Sequence, residues 1–503
     1  MAFSDGLSGL PTNAVTLSLS FAVLYLLFTF ASAVHVYFGP LSKFPGPKYR
    51  AFSRIPRILC MIRGDEATVI PELHRRYGPV VRIAPNELSF RGDAQAFKDI
   101  HGFKKAGQNH VFKDKFFYGK PFNGVDSLIT ADDANHSRQR KLVAHAFADK
   151  SLKDLEPMLK TWSGTMQRKL AEQAGKPVDM LKYYNCTTFD IMGDLSFNEG
   201  LNMLEDGEYS SWVQAIFLGI KNTSQLRALK MSSSFGKYIV DKWFFQSQFF
   251  RRKQAEHWNY SKDRVDRRLK MSPPERPDLW SKILEKASGP DGLTIEEHRS
   301  LASLFMIAGT ETTATALSGV TYYLLRNPQY MKKLTTEIRE AHASYDDITL
   351  ESIQKLKYLH AVLQEGLRMY PPVPSTLSRM TPSGGVTICG QFVPENTSLG
   401  IHHLSTYRSE DNFKNPYKFA PERFLGDPEY ANDNLSALEP FSTGPRNCVG
   451  KNLAWHEMRL LLCTTLLHFD LELCEESSNW PDQKIHILWE KKPLWCKLTE
   501  MKT

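Results

Sequence analysis

Apolar residues follow three patterns along this chain. The first is an unbroken run. AVTLSLSFAVLYLLFTFASAV, Ala14 to Val34, is mostly apolar, and no Asp, Glu, Lys or Arg falls between Asp5 and Lys43. About 20 such residues make a helix that crosses a bilayer core, so residues 14–37 are predicted as a single transmembrane helix. A secretory leader is the rival reading, because Ala31 to Ala33 resembles a cleavage site. Against it, the run is longer than a leader's apolar core and no positive charge precedes it. Lys43, Lys48, Arg50, Arg54 and Arg57 follow. That bias puts residues 1–13 in the lumen and the following body on the cytoplasmic side. KFPGP, Lys43 to Pro47, sets two prolines around a glycine, a stiff turn. Residues 38–50 therefore read as a hinge, and 51–503 as the soluble body.

The second pattern, helical spacing, covers most of that body. The third, alternation, is confined to PVVRIAPNELSF (Pro79–Phe90) and GVTICGQFVPENTSL (Gly385–Leu399). Helices dominate and strands cluster, so the fold class is mainly α with small β-sheets. The proline-rich SPPERPD, Ser272–Asp278, reads as a surface loop. One helix stands out, from Leu293 to Pro328. Thr294 and Glu297 form a capping box, and Asn327–Pro328 is a stop. About 30 residues give a rod of roughly 45 Å, long enough to cross the domain. Its centre reads AGTETT, Ala308 to Thr313, where core residues are expected. A mid-helix glycine costs about 1 kcal/mol against alanine. Either this is a polar helix contact, or Gly309 admits something to the backbone while Glu311 and Thr312 handle protons in a dry site.

Composition changes little. The chain has 503 residues, 42% hydrophobic and 23% charged, with a formal charge of +8. A mild basic bias reads as a generic surface feature first, and otherwise as attraction to an anionic membrane or an acidic partner. Nucleic acid is excluded, since no dense basic tract alternates with aromatics. The seven cysteines are scattered and contain no C-x-x-C pair, which argues against a zinc ribbon or redox dithiol.

One cysteine has unusual company: FSTGPRNCVG, Phe441 to Gly450. A thiolate is a soft iron ligand, and cysteine-ligated heme favours O–O cleavage. Gly444 and Gly450 would let the chain pass close to a flat macrocycle. Arg446 would meet a propionate, and Phe441 would shield the sulfur. Amides of Val449, Gly450 and Lys451, at a helix start, would stabilise its negative charge.

With these residues the chain resembles the cytochrome P450 superfamily. FSTGPRNCVG matches F-x-x-G-x-R-x-C-x-G. EGLR (Glu365–Arg368), PERF (Pro421–Phe424) and AGTETT resemble three further family motifs in the expected order. The resemblance implies a P450 fold binding heme b, with Cys448 as the axial ligand of the heme iron. It implies a buried triad of Glu365, Arg368 and Arg423. It makes Arg446, Arg140 and Arg379 propionate partners, with His136 standing where the family has tryptophan. It makes Glu311 and Thr312 the acid–alcohol pair that delivers protons to dioxygen. By family position, Phe112, Phe116, Phe117, Phe122, Ala308, Val373, Ser375 and Thr376 are substrate-pocket candidates. KWFFQSQFFRRK, Lys242–Lys253, reads either as a membrane-interface segment or as a buried amphipathic helix.

The expected reaction is monooxygenation of a hydrophobic small molecule, of the kind met in fungal polyketide, terpenoid or alkaloid metabolism. Electrons would come from NADPH through cytochrome P450 reductase, with cytochrome b5 as a further donor, at the endoplasmic reticulum membrane. Two alternatives stay open at this point: a heme-thiolate isomerase or dehydratase that never activates dioxygen, and a non-catalytic heme sensor.

Overall fold

The computed structural model describes residues 12–104, 107, 109–119, 121, 123–232, 234–244, 248–271, 276–287 and 291–501. Residues 1–11 of the expected lumenal segment, Phe122, and parts of Lys242–Lys253 and Ser272–Asp278 lie outside the described residues.

The uncharged run lies within one helix, α1 (Thr12–Phe38). Leu17, Leu24, Phe28 and Phe30 on it are exposed. Among the described residues, no helix is long and apolar enough to cross a membrane. The expected hinge follows and is pinned to the body, because the Arg82 amide donates to the Pro45 carbonyl at 2.8 Å.

Both alternating stretches form sheet. Val80–Ala84 (β1) pairs antiparallel with Glu87–Phe90 (β2). Phe112–Lys113 (β3), Arg379–Met380 (β4) and Ser398–Ile401 (β5) complete a five-stranded sheet in the order β1-β2-β5-β4-β3. The β2–β5 pair is parallel and joins residues more than 300 positions apart. Cross-strand pairing sets Lys113 opposite Arg379. Smaller sheets lie elsewhere, including the hairpin Lys484–His486 and Leu488–Glu490.

The helices that build the site are Asp133–Val143 (α2), Met180–Phe197 (α3), Ser211–Lys230 (α4), Ile295–Leu325 (α5), Lys357–Met369 (α6) and Lys451–His468 (α7). The capping box of α5 is present, with Glu297 N–H to Thr294 Oγ1 at 3.2 Å and Thr294 N–H to Glu297 Oε2 at 2.9 Å. After Leu325 the chain turns, and Pro328 opens the next helix. Leu301, Leu317 and Val320 on α5 pack in one apolar core with Phe189, Leu363 and Leu461. Burying such side chains stabilises by about 1.5–3 kcal/mol each. The core thus clamps α5 above α7 and fixes the space between them.

Candidate active site

The Phe441–Gly450 loop runs directly into α7, whose N-cap is Gly450. The Cys448 amide closes it by donating to the Phe441 carbonyl at 2.9 Å. Gly444 is needed for a local reason: its φ is +75°, and a Cβ would lie 1.9 Å from the His101 carbonyl oxygen. The expected close approach of a macrocycle is therefore not what demands glycine there. Gly450 suits that expectation better, since a Cβ would meet no protein atom within 4 Å.

Cys448 opens onto an internal cavity of about 260 Å³, and its accessible surface belongs to that cavity wall rather than to the outside. Burial pushes its thiol up, while the Gly450 amide, Arg140 and Lys451 pull the other way. Ala308, Gly309, Thr312 and Ala316 of α5 also line the cavity, as do Phe441, Val373 and Leu377. The cavity shares Lys113, Arg379 and Arg446 with an outer cleft of about 930 Å³.

The cleft is cationic. Arg446 donates to Asp133 Oδ1 at 2.6 Å and to the Ala131 carbonyl at 2.8 Å, yet its Nη1 is buried without a partner among the described residues. Arg140 holds the Cys448 loop through the Asn447 carbonyl (2.6 Å) and Oδ1 (2.8 Å). Arg379 is buried, with Tyr118 Oη at 3.4 Å. His136 is buried, not solvent-facing. Burial and then Arg446 and Arg140 lower its pKa to about 4, so it enters as a neutral N–H donor. His101 is buried, with neither ring nitrogen partnered among the described residues. A heme has an apolar body and two carboxylates. An apolar slot ending in unpartnered cationic and N–H donors fits it, with Cys448 at the slot floor.

Thr312 faces the Cys448 cavity and donates to the Ala308 carbonyl at 2.7 Å. Glu311 does not join it. Adjacent helix residues point about 100° apart, and Glu311 lines a separate cavity of about 400 Å³ with Asn185, Tyr209 and Trp489. There it is buried in an ion pair with Lys491, which also donates to Thr315 Oγ1 at 2.7 Å. The expected acid–alcohol pair is thus split across two faces of α5. Gly309 admits a protein group: a Cβ there would lie 2.6 Å from Met192 Sδ on α3.

The expected triad is assembled. Glu365 accepts from Arg368 at 2.7 and 2.8 Å and from Arg423 Nε at 3.3 Å, all three fully buried.

The substrate-pocket candidates divide. Ala308 and Val373 line the cavity. Phe112 is exposed in the outer cleft, Phe116 is exposed, and Phe117 stacks under the Arg227 guanidinium at 4.0 Å. Ser375 donates to Glu66 Oε2 at 2.5 Å and lies away from the cavity. The cavity's aromatic walls come instead from Tyr118, Phe147 and Phe305.

Sequence reasoning also missed His101, Lys113 and Glu457. No local signal marks any of them. Glu457 of α7 lines the Cys448 cavity with neither carboxyl oxygen partnered among the described residues, the Thr313 hydroxyl lying close enough to temper its proton affinity. Burial raises its pKa from 4.5 to about 8. The protonated acid is therefore the form the fold tolerates. Stability from this group is full below pH 4.5 and falls as pH rises to about 8, by at most ~1.4 kcal/mol per pH unit. Glu457→Gln should abolish that fall, measured as thermal midpoints of the holoenzyme across the range. Parallel profiles for the two proteins would reject the assignment.

A cytochrome P450 family model matches residues 52–498. The cytochrome P450 monooxygenase efuB of Hormonema carpetanum is 48% identical over 97% of this chain and 96% of its own. The monooxygenase lcsI of Purpureocillium lilacinum is 40% identical over 94% and 92%. The monooxygenase FUM2 of Gibberella moniliformis is 41% identical over 93% and 99%. Members of this family use a heme iron and electrons from NAD(P)H passed through a reductase. Extending over most of the chain and including the loop that carries Cys448, the match shows that this chain belongs to the cytochrome P450 family, as a monooxygenase.

Proposed function

We propose that this protein inserts one oxygen atom from dioxygen into a hydrophobic small molecule of fungal secondary metabolism, with NADPH as the electron source. The observation that carries this reading is that Cys448 and Thr312 both line one apolar cavity, which shares Lys113, Arg379 and Arg446 with a cationic cleft. When bound, heme supplies the iron at which dioxygen is activated. Cys448 would hold that iron, and Arg446, Arg379, Arg140, His136 and His101 would hold the propionates. The bond from Thr312 to the Ala308 carbonyl fixes its hydroxyl at the cavity wall, where it accepts a proton from water and passes one on. Glu311 serves that relay only by leaving Lys491 and swinging around α5. Relatives named as monooxygenases, together with Thr312 at the cavity, favour oxygenation over isomerase or sensor chemistry.

Thr312→Ala should consume NADPH at a near-normal rate while releasing peroxide, with product per NADPH down about 100-fold, the lower end of what a lost proton-transfer group costs. Unchanged coupling would remove Thr312 from the relay. The reading as a whole is tested with membranes supplied with reductase and NADPH. Substrate-dependent oxygen uptake is expected, and product formation without it would favour an isomerase.

We further infer that residues 14–37 anchor the chain in the endoplasmic reticulum membrane with the body in the cytosol, beside cytochrome P450 reductase and cytochrome b5. The uncharged stretch Ala14–Val34, the basic residues after it and the exposed apolar side chains on α1 support this. On that topology Asn185, Asn222, Asn259 and Asn396 carry no glycan although each stands in an N-x-S/T sequence. A mass shift on endoglycosidase treatment would reverse the orientation.

A further inference from the structure

The cations around the cleft exceed what a heme's two propionates neutralise. Among the described residues, Lys113, Arg140, Arg379 and Arg446 line it, and Asp133 is the one carboxylate in the lining. Asp133 is engaged by Arg446. Of the other two lysines in the lining, Lys104 lies 3.9 Å from Asp99 and Lys141 is exposed to solvent. His101 and His136 are both held neutral by burial. Two propionates would balance two of the remaining cations, and one positive charge would stay unmatched.

Position singles out Lys113 for that charge. Its Nζ donates to the Ile129 carbonyl at 2.7 Å and lies 4.0 Å above the Tyr118 ring. Ile129 and Tyr118 line the Cys448 cavity and not the outer cleft. Arg140 is the reverse case, lining the cleft alone and tied to Asn447. Tyr118 accepts from Arg379 and keeps its own proton to give.

We propose that the substrate carries a carboxylate, held beside the heme by the Lys113 ammonium and the Tyr118 hydroxyl. This rests on the monooxygenase reading of the same cavity. Burial and the neighbouring Arg379 and Arg446 push the Lys113 ammonium well below its ordinary range. An anion at that point restores the charge. The carboxylate would lie near the propionate edge and direct the far, apolar end of the molecule toward Thr312.

The test uses the holoenzyme and a probe anchored at the iron, an imidazolylbenzoic acid compared with its methyl ester. Each is titrated by the Soret shift that azole ligation produces. The acid should bind at least about tenfold more tightly than the ester. Lys113→Met should erase that preference, Lys113→Arg should keep it, and Tyr118→Phe should weaken it several-fold. If Lys113→Met fails to hold heme, the wild-type and Tyr118→Phe titrations still decide. Equal or weaker binding of the acid to wild type overturns the proposal. So does a preference that survives Lys113→Met, and so does faster heme loss in that variant with the preference intact, which would make Lys113 a propionate partner. Purified protein with no Soret band at all would sink the heme reading itself, and this proposal with it.

Discussion

Cys448→Ala should give a protein whose reduced, carbon monoxide-treated spectrum lacks the band of a thiolate-ligated heme, with oxygenation at background. The size of the effect follows from what the neighbours can replace. Loss of a supporting group such as Arg140, which holds the loop through Asn447, leaves the ligand in place, and such losses cost about 10–100-fold in affinity or activity. Loss of Cys448 leaves no thiol to bind: the Cys463 side chain is fully buried in the apolar core, on the same helix but within the packing. Among the described residues no group of three or more His, Cys, Asp or Glu offers an alternative metal site. The loop itself should survive, because the Cys448 amide still reaches the Phe441 carbonyl and Gly444 still takes its left-handed turn. The matched control is Cys463→Ala, which should keep the thiolate spectrum. A thiolate band in Cys448→Ala, or its loss in Cys463→Ala, would place the ligand elsewhere.

What could be read from the chain beforehand follows the range of the interactions. The capping box of α5 is written in residues three apart, and both ends of that helix were legible. The two alternating stretches gave strands, but not that β2 would pair in parallel with β5, which requires closure of more than 300 residues. Cys448, Arg446 and Phe441 lie in one loop, so their grouping at one cavity was legible. Glu365 and Arg368 are one turn apart, whereas Arg423 joins them across 58 residues and was named only through family resemblance. Glu311 shows how a local pattern misleads. Its neighbour in sequence is Thr312, but a helix turns adjacent residues to different faces, and its real partner is Lys491 from the far end of the chain. The pocket was least legible. Phe116 and Ser375 are of the right type and in the right region. Their environments are set by packing against elements distant in sequence, as the bond from Ser375 to Glu66 shows. Lys113, His101 and Glu457 were invisible for the same reason: a lone lysine, histidine or glutamate carries no mark until the fold removes its partners.

Glu365→Ala should yield protein with little or no heme. Glu365, Arg368, Arg423 and Asp433 form a neutral set, two carboxylates and two guanidiniums, each at most 1% exposed in its side chain. Glu365 Oε1 also accepts the Ala420 amide at 2.8 Å. Arg368 extends the network to the carbonyls of Tyr407 and Pro416, both at 2.7 Å, and Arg423 to that of Asn415 at 2.8 Å. The arginines thereby fasten the irregular segment from Asn415 to Asp433 onto α6, and that segment leads into the Cys448 loop. Replacing a buried ion pair with well-packed apolar groups can be neutral, but deleting one partner strands the other. Alanine at 365 leaves one positive charge without water or counter-ion, a loss of about 3–5 kcal/mol. Domains have only about 5–15 kcal/mol in total. The segment should detach before the core unfolds, so heme should be lost at temperatures where helical content persists. Glu365→Gln should be less severe, since an amide oxygen still accepts from Arg368 and Ala420. Asp433→Ala should be milder again, because Arg423 keeps Glu365. The ordering is read by heme per protein and by the midpoint of thermal unfolding. Normal heme content in Glu365→Ala would show that the cluster does not hold the cofactor loop in place.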